Sequence, residues 1–324
     1  MIYTVTLNPA LDLVSYVDNL DSNYAETSAA YKYPGGKAIN ASRMLYNLNI
    51  PSYVTGFLGG YPGKFIRDWF ENRKFDQFFI DVEEDNRTTI RIKTSEKEMT
   101  IAGISPTIPT EKLDDLLYFL SRVREGDIVI MGGSLPKNVS KDIYTRIIEI
   151  CKANKAEFVV DIPPQQTLAA LKYKPLLIKP NVDNLALMFG RDKAFESEEE
   201  LIDHGLRCID LGAKNVIVSI GRDGSYLFTE DKAVYRSYGV EGVEVNSFNS
   251  RDAMIAAFIG VYMRKTDPVE AFKMASAAAS ATAFVEDLAN KEEVGEVFKK
   301  ILVKKIREGE KVEEDSLATL YSLE

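Results

Sequence analysis

Cysteine and histidine are almost missing from this 324-residue chain, which has two of the first and one of the second. Cys151 and Cys208 both fall in apolar-periodic stretches and fit no zinc or redox spacing. A disulfide scaffold and a cysteine-ligated metal are therefore excluded, and buried thiols are expected. His204 lies in the amphipathic stretch from Glu198 to Leu211 without a companion ligand. That placement argues for a helix-surface role over metal binding or His-based catalysis, so any metal must be magnesium on oxygen ligands.

A basic excess is lacking too. Forty Lys and Arg stand against 49 Asp and Glu, a net charge of −9, which argues against a dominant electrostatic grip on nucleic acid or an anionic membrane. A bound phosphate then needs local donors. No apolar run reaches membrane-spanning length, and Met1 to Pro9 carries neither a basic leader nor a long apolar stretch, so a cytoplasmic location is expected.

What is present is ordinary globular composition, 45% hydrophobic and 27% charged. Four short apolar runs, Asp127 to Met131, Phe158 to Asp161, Leu176 to Ile178 and Asn215 to Val218, read as parallel strands buried on both faces. Helix-period segments such as Lys141 to Ala153, Asn184 to Phe189 and Glu198 to Leu211 alternate with them. The pattern predicts an α/β fold with a Rossmann-like, doubly wound, mostly parallel sheet. Gly132-Gly133-Ser134, Lys179-Pro180-Asn181 and Ser219-Ile220-Gly221 follow these runs, at the sheet edge where ligands bind in such folds. Two β-branched stretches without helices, about Asp12 to Tyr33 and Thr88 to Ile101, suggest antiparallel strands forming a small lid. The expected organisation is one domain over residues 1–312, with the lid from about 12–34 and 86–104, and a C-terminal tail at 313–324.

Three segments can carry chemistry. Gly35-Gly36-Lys37 opens a helix containing Asn40; adjacent glycines let backbone N–H groups approach an anion, although a plain helix start also uses them. Asp12 ends Leu7-Asn8-Pro9-Ala10-Leu11-Asp12 and either accepts hydrogen bonds from sugar hydroxyls or serves as a turn residue. Ser219-Ile220-Gly221-Arg222-Asp223-Gly224 suits a nucleotide or a simple hairpin.

In their order along the chain these segments, with Gly56-Phe57-Leu58-Gly59-Gly60 and Gly133-Ser134-Leu135-Pro136, resemble the ribokinase-type (PfkB) sugar kinases. Within that family the 1-phosphofructokinase and tagatose-6-phosphate kinase branch is most similar. The resemblance implies a ribokinase-like core with a β lid, ATP and Mg2+, and phosphorylation of a hexose phosphate to a bisphosphate. By that likeness Asp12, Gly35, Gly36, Lys37 and Asn40 face the sugar, and Lys179, Asn181, Ser219, Gly221 and Gly224 face ATP. By the same likeness Asp252 would be the general base, while pairing of two copies as a homodimer through the lid is left open by the sequence.

The chain departs from the family at several of these places. Asn249-Ser250-Arg251 stands where the family has Gly-Ala-Gly, whose N–H groups hold the charge of the transferring phosphoryl group. An Arg there brings a Cβ and a long side chain into a tight turn. A cation, from Arg251, Lys37 or Lys179, would have to act as a surrogate. Asn184 replaces a magnesium-organising Glu, leaving at most a water-mediated contact. Thr89 replaces a phosphate-gripping Arg, with Arg91 on the same strand face as the substitute. Two readings follow: a working kinase, and a catalytically impaired sensor of sugar phosphate or nucleotide on the same fold.

Overall fold

The computed structural model describes residues 1–19, 24–193, 195–246 and 249–310; the tail expected at 313–324 lies outside them. In chain order the strands are β1 (Ile2–Thr6), β2 (Ala10–Val17), β3 (Thr27–Gly35), β4 (Tyr53–Leu58), β5 (Asp76–Asp81), β6 (Arg87–Lys93) and β7 (Glu98–Ala102). Then come β8 (Ile128–Gly132), β9 (Glu157–Asp161), β10 (Leu177–Ile178), β11 (Asn215–Ser219), β12 (Gly224–Thr229), β13 (Val234–Tyr238) and β14 (Val303–Arg307).

Ten strands form the main sheet in the order β14-β13-β12-β11-β10-β9-β8-β1-β4-β5. Pairings from β11 through β5 are parallel, and the β11-β12-β13-β14 end is an antiparallel meander. The four apolar runs are β8 to β11, each buried along almost its whole length, as strands covered on both faces must be. Helices Thr110–Leu120, Ile143–Ala153 and Glu198–Asp210 cover one face. Lys37–Asn47, Ser250–Lys265 and Pro268–Ala283 cover the other. Cys151 and Cys208 are buried thiols in the first of these layers. His204 hydrogen-bonds the Glu200 carbonyl and packs on Phe189 and Phe195.

The smaller sheet runs β3-β2-β6-β7. Its outer pairs are antiparallel, but the central pair is not: β2 and β6 run parallel, with Asp12 opposite Thr89 and Val14 opposite Arg91. The expectation of an antiparallel sheet fails here because β2 and β6 are joined through β4 and β5 of the main sheet, and such a crossover permits parallel pairing. This sheet rests on the segments around the start of helix Ser250–Lys265. Lys93 Nζ donates to the Val245 carbonyl at 3.0 Å, and the Tyr16 hydroxyl donates to Glu286. Among the described residues no helix is long and apolar enough to cross a membrane.

Candidate active site

The chain leaves β1 in one direction to β4 and β5 and returns on the other side to β8, so the sheet switches direction between β1 and β8. Crevices at the carboxyl ends of such strands are where open α/β sheets hold ligands. The turn into helix Lys37–Asn47 sits over this point. Gly36 caps the helix at φ 118°, a value L side chains avoid. The Asp12 carboxyl lies so close over Gly35 that an added Cβ would stand 2.3–2.5 Å from its atoms.

Asp252 lies in the first turn of helix Ser250–Lys265, is 4% exposed, and accepts a hydrogen bond from Asn40 Nδ2 at 2.9 Å. Burial pushes its carboxyl up to about 7, and the charge of Asp161 adds to this, while the Asn40 bond, Lys37 and Lys179 oppose it. A carboxylate so poised suits proton abstraction near neutral pH. Asn40 is fixed from behind. Arg43 Nη1 donates to its Oδ1 at 3.2 Å, and Arg43 is itself paired with Asp287 and stacked between Tyr33 and Trp69. Asn249 joins this network: its Oδ1 accepts from Asn40 at 3.3 Å and its Nδ2 donates to Asp287 at 3.4 Å.

Lys37 and Lys179 lie within electrostatic range of the base. Lys37 Nζ pairs with Asp161 Oδ1 at 2.8 Å and also donates to the Asp161 carbonyl at 3.3 Å. Burial works against its charge, but Asp161 and Asp252 prevail and raise its proton affinity. Lys179 is buried, and there burial prevails and lowers it despite the same two acids. Asp161 is buried as well, yet Lys179 and Lys37 hold it below the ordinary carboxylate range. Sequence reasoning missed Asp161, Arg43 and Asp287. For Asp161 a signal exists, since it is a charged residue closing the otherwise apolar Phe158-Val159-Val160 at a strand's carboxyl end.

Beside this cluster opens a cavity of about 830 Å³, within the size range of small-molecule sites. Asn181, Ser219, Gly221 and Gly224 line one wall; Ser250, Arg251 and Met254 line another. Lys179 does not line it but faces a small recess with Asp161 and Asn184. Asn181 caps helix Val182–Met188 by accepting from Asn184 N at 2.8 Å. The Ser219–Gly224 segment is both cavity wall and the connection of the antiparallel β11-β12 pair, so the two readings of that segment coincide.

Under the lid sheet, Arg91 Nη2 reaches Asp12 Oδ2 at 2.9 Å, and both are buried. Burial raises the Asp12 carboxyl against the pull of Arg91, Arg87 and Arg43. Arg91 thus already serves Asp12. Arg87, on the same strand face but less buried, donates among the described residues to neutral oxygens, the Asn8 carbonyl at 3.3 Å and Thr89 Oγ1 at 3.2 Å. The altered turn at 249–251 is not strained: Asn249 has φ −77° and ψ −17°, right-handed helical values open to any residue, and Arg251 is exposed.

A proton acceptor at a helix start, within electrostatic range of two ammonium groups and next to a cavity of nucleotide size, supplies what phosphoryl transfer to an alcohol requires. Fold and site together define a sugar-kinase type of phosphotransferase. The chain belongs to the pfkB family of carbohydrate kinases, whose pattern matches residues 6–293, and it is an ATP-dependent sugar kinase. It is 37% identical to the 1-phosphofructokinase of Bacillus subtilis over 94% of this chain and 100% of that one. It is 36% identical to the D-tagatose-1-phosphate kinase of Bacillus licheniformis over 89% and 94% of the two chains. A Staphylococcus aureus protein crystallised as a candidate phosphofructokinase superposes with TM-score 0.83 at 35% identity, covering 96% of this chain and 100% of that one. Phosphofructokinase-2 of Escherichia coli, at 19% identity and TM-score 0.87 over 92% and 98%, shares the fold.

Proposed function

We propose that this chain transfers the γ-phosphoryl group of ATP to a free hydroxyl of a hexose monophosphate, of the fructose 1-phosphate or tagatose 6-phosphate type, giving a bisphosphate. The observation that carries the reading is Asp252, buried, bonded to Asn40 and with its carboxyl raised to about 7 beside Lys37 and Lys179. The names of the relatives that are more than a third identical agree with a phosphorylated ketohexose as acceptor.

In this account ATP occupies the cavity along Asn181, Ser219, Gly221 and Gly224, and the sugar lies under the lid against Asp12, Gly35, Gly36 and Asn40. Asp252 takes the acceptor's hydroxyl proton as that oxygen attacks the γ-phosphorus; the bridging bond breaks and its electron pair leaves on ADP. Lys37 and Lys179 set the positive field of the site, and Arg87 is the lid guanidinium with capacity left for the sugar's own phosphate. Among the described residues no three acidic, histidine or cysteine side chains gather as a metal cage. A magnesium ion carried in on the triphosphate would meet the oxygens of Asn184 and Asp161, which line one recess, and would neutralise phosphate charge there.

The chain is further read as one domain with a lid, pairing with a second copy through that lid, where Tyr31, Met99 and Ile101 leave apolar surface exposed. Retention of the base and of a nucleotide-sized cavity favours turnover over a binding-only role. Incubating the protein with MgATP and a panel of hexose monophosphates, with 31P NMR of the products, tests the proposal. A bisphosphate from at least one ketohexose phosphate is expected; ADP release independent of every sugar would refute it.

A further inference from the structure

We propose that Arg251 is a catalytic residue of this chain, its guanidinium contacting the transferring phosphoryl group alongside the backbone N–H groups of the helix start. The inference rests on the phosphoryl-transfer reading above and names the group that stabilises its transition state.

Three cations lie near enough to Asp252 to fill that role, and the geometry separates them. Lys37 is held by Asp161 through both the carboxylate at 2.8 Å and the carbonyl at 3.3 Å. Lys179 is 4% exposed, lies outside the cavity wall, and faces the recess beside Asp161. Arg251 is exposed, lines the 830 Å³ cavity, and sits one residue before Asp252. The other cation lining that cavity, Arg222, is committed to Glu244 at 2.5 Å. Arg251 has no carboxylate partner among the described residues, yet it lies within electrostatic range of Asp161, Lys37 and Lys179. Among the described residues it is thus a positive charge at the cavity's edge, next to the base and without a carboxylate partner.

The chemistry suits the position. A guanidinium stays protonated at every working pH, and its planar fork matches two phosphoryl oxygens at once. As the acceptor oxygen bonds to the γ-phosphorus and the bond to ADP breaks, charge spreads over the equatorial oxygens. Arg251 can follow that charge from its exposed position. The right-handed backbone at Asn249, with its side chain tied to Asn40 and Asp287, fixes the helix start from which Arg251 projects.

The test uses the full chain and Arg251→Met, Arg251→Lys and Arg251→Gly. Calorimetry with MgADP, with and without fluoroaluminate as a mimic of the planar phosphoryl group, reads the contact without turnover. Wild type is expected to bind MgADP more tightly when fluoroaluminate is present, and Arg251→Met to lose that tightening while keeping MgADP affinity. The kcat of Arg251→Met is expected to fall about 100- to 1000-fold, the cost of one lost donor to a transition state. Arg251→Lys recovers part of it, and added guanidinium restores Arg251→Gly in a saturable way. Undiminished tightening in Arg251→Met, or an Arg251→Gly variant as fast as wild type, overturns the proposal. Should wild type phosphorylate no hexose phosphate yet show Arg251-dependent tightening, the contact stands and the acceptor assignment falls.

Discussion

Replacing Asp252 by Asn should make the protein more stable, and the gain should depend on pH. The carboxyl of Asp252 ordinarily titrates at 3.8 and is pushed to about 7 in the fold, first by burial and then by the charge of Asp161. The shift is roughly three units, and each unit is worth about 1.4 kcal/mol, which bounds the effect at about 4 kcal/mol. The sign follows from proton binding. Below the unfolded value both states hold the proton and the group contributes nothing. Between there and about 7 the unfolded chain ionises while the fold keeps its proton, so stability falls as pH rises. Above about 7 the whole penalty is present. An Asn at 252 cannot ionise, yet its side-chain oxygen can still accept from Asn40. Urea denaturation of both proteins between pH 4 and 8 is the assay, read as the difference in unfolding free energy at each pH. The variant should exceed wild type by about 2–4 kcal/mol at pH 8, with the gap closing toward pH 4. A gap that is constant with pH, or a less stable variant at pH 8, would refute the reasoning. Stability surrendered at a catalytic position is a common feature of enzymes.

The same group should set the pH dependence of the reaction: kcat/KM should fall tenfold per unit below about 7 as Asp252 takes up its proton. Because Asp161 helps to raise that carboxyl, Asp161→Asn should move this limb to lower pH, whatever it does to the plateau; a limb that stays put contradicts the assigned coupling. Gly35→Ala would place a Cβ 2.3–2.5 Å from the Asp12 carboxyl atoms. Asp12 must then shift, and steady-state kinetics should show KM for the sugar phosphate raised at least about tenfold, as a lost hydrogen bond to a charged group implies, with KM for ATP little changed. An unchanged sugar KM would remove Asp12 from the substrate site.

Much of this fold is legible locally. Strands β8 to β11 announce themselves as apolar runs between turn residues, because a strand covered by helices on both faces leaves no polar face to write into the sequence. The helix starts at Lys37 and Ser250 follow from motif and periodicity. What escaped depends on residues distant in the chain. Arg43 meets Asp287 across 244 positions and Lys37 meets Asp161 across 124. No spacing rule encodes such pairs. The parallel β2-β6 pairing escaped for the same reason, since both strands carry the alternation of a half-buried strand whichever way they run. The turn at 249–251 looked strained from the sequence because a glycine motif was the reference, whereas its backbone needs no glycine conformation.

The most direct test is single-turnover formation of the bisphosphate from MgATP and the accepted hexose monophosphate, comparing wild type with Asp252→Asn at pH 8. With Asp252 as the base, the Asn variant should bind both substrates and form product at least about 1000-fold more slowly, within the range that general-base loss produces. Product formation by Asp252→Asn within tenfold of wild type would contradict the account.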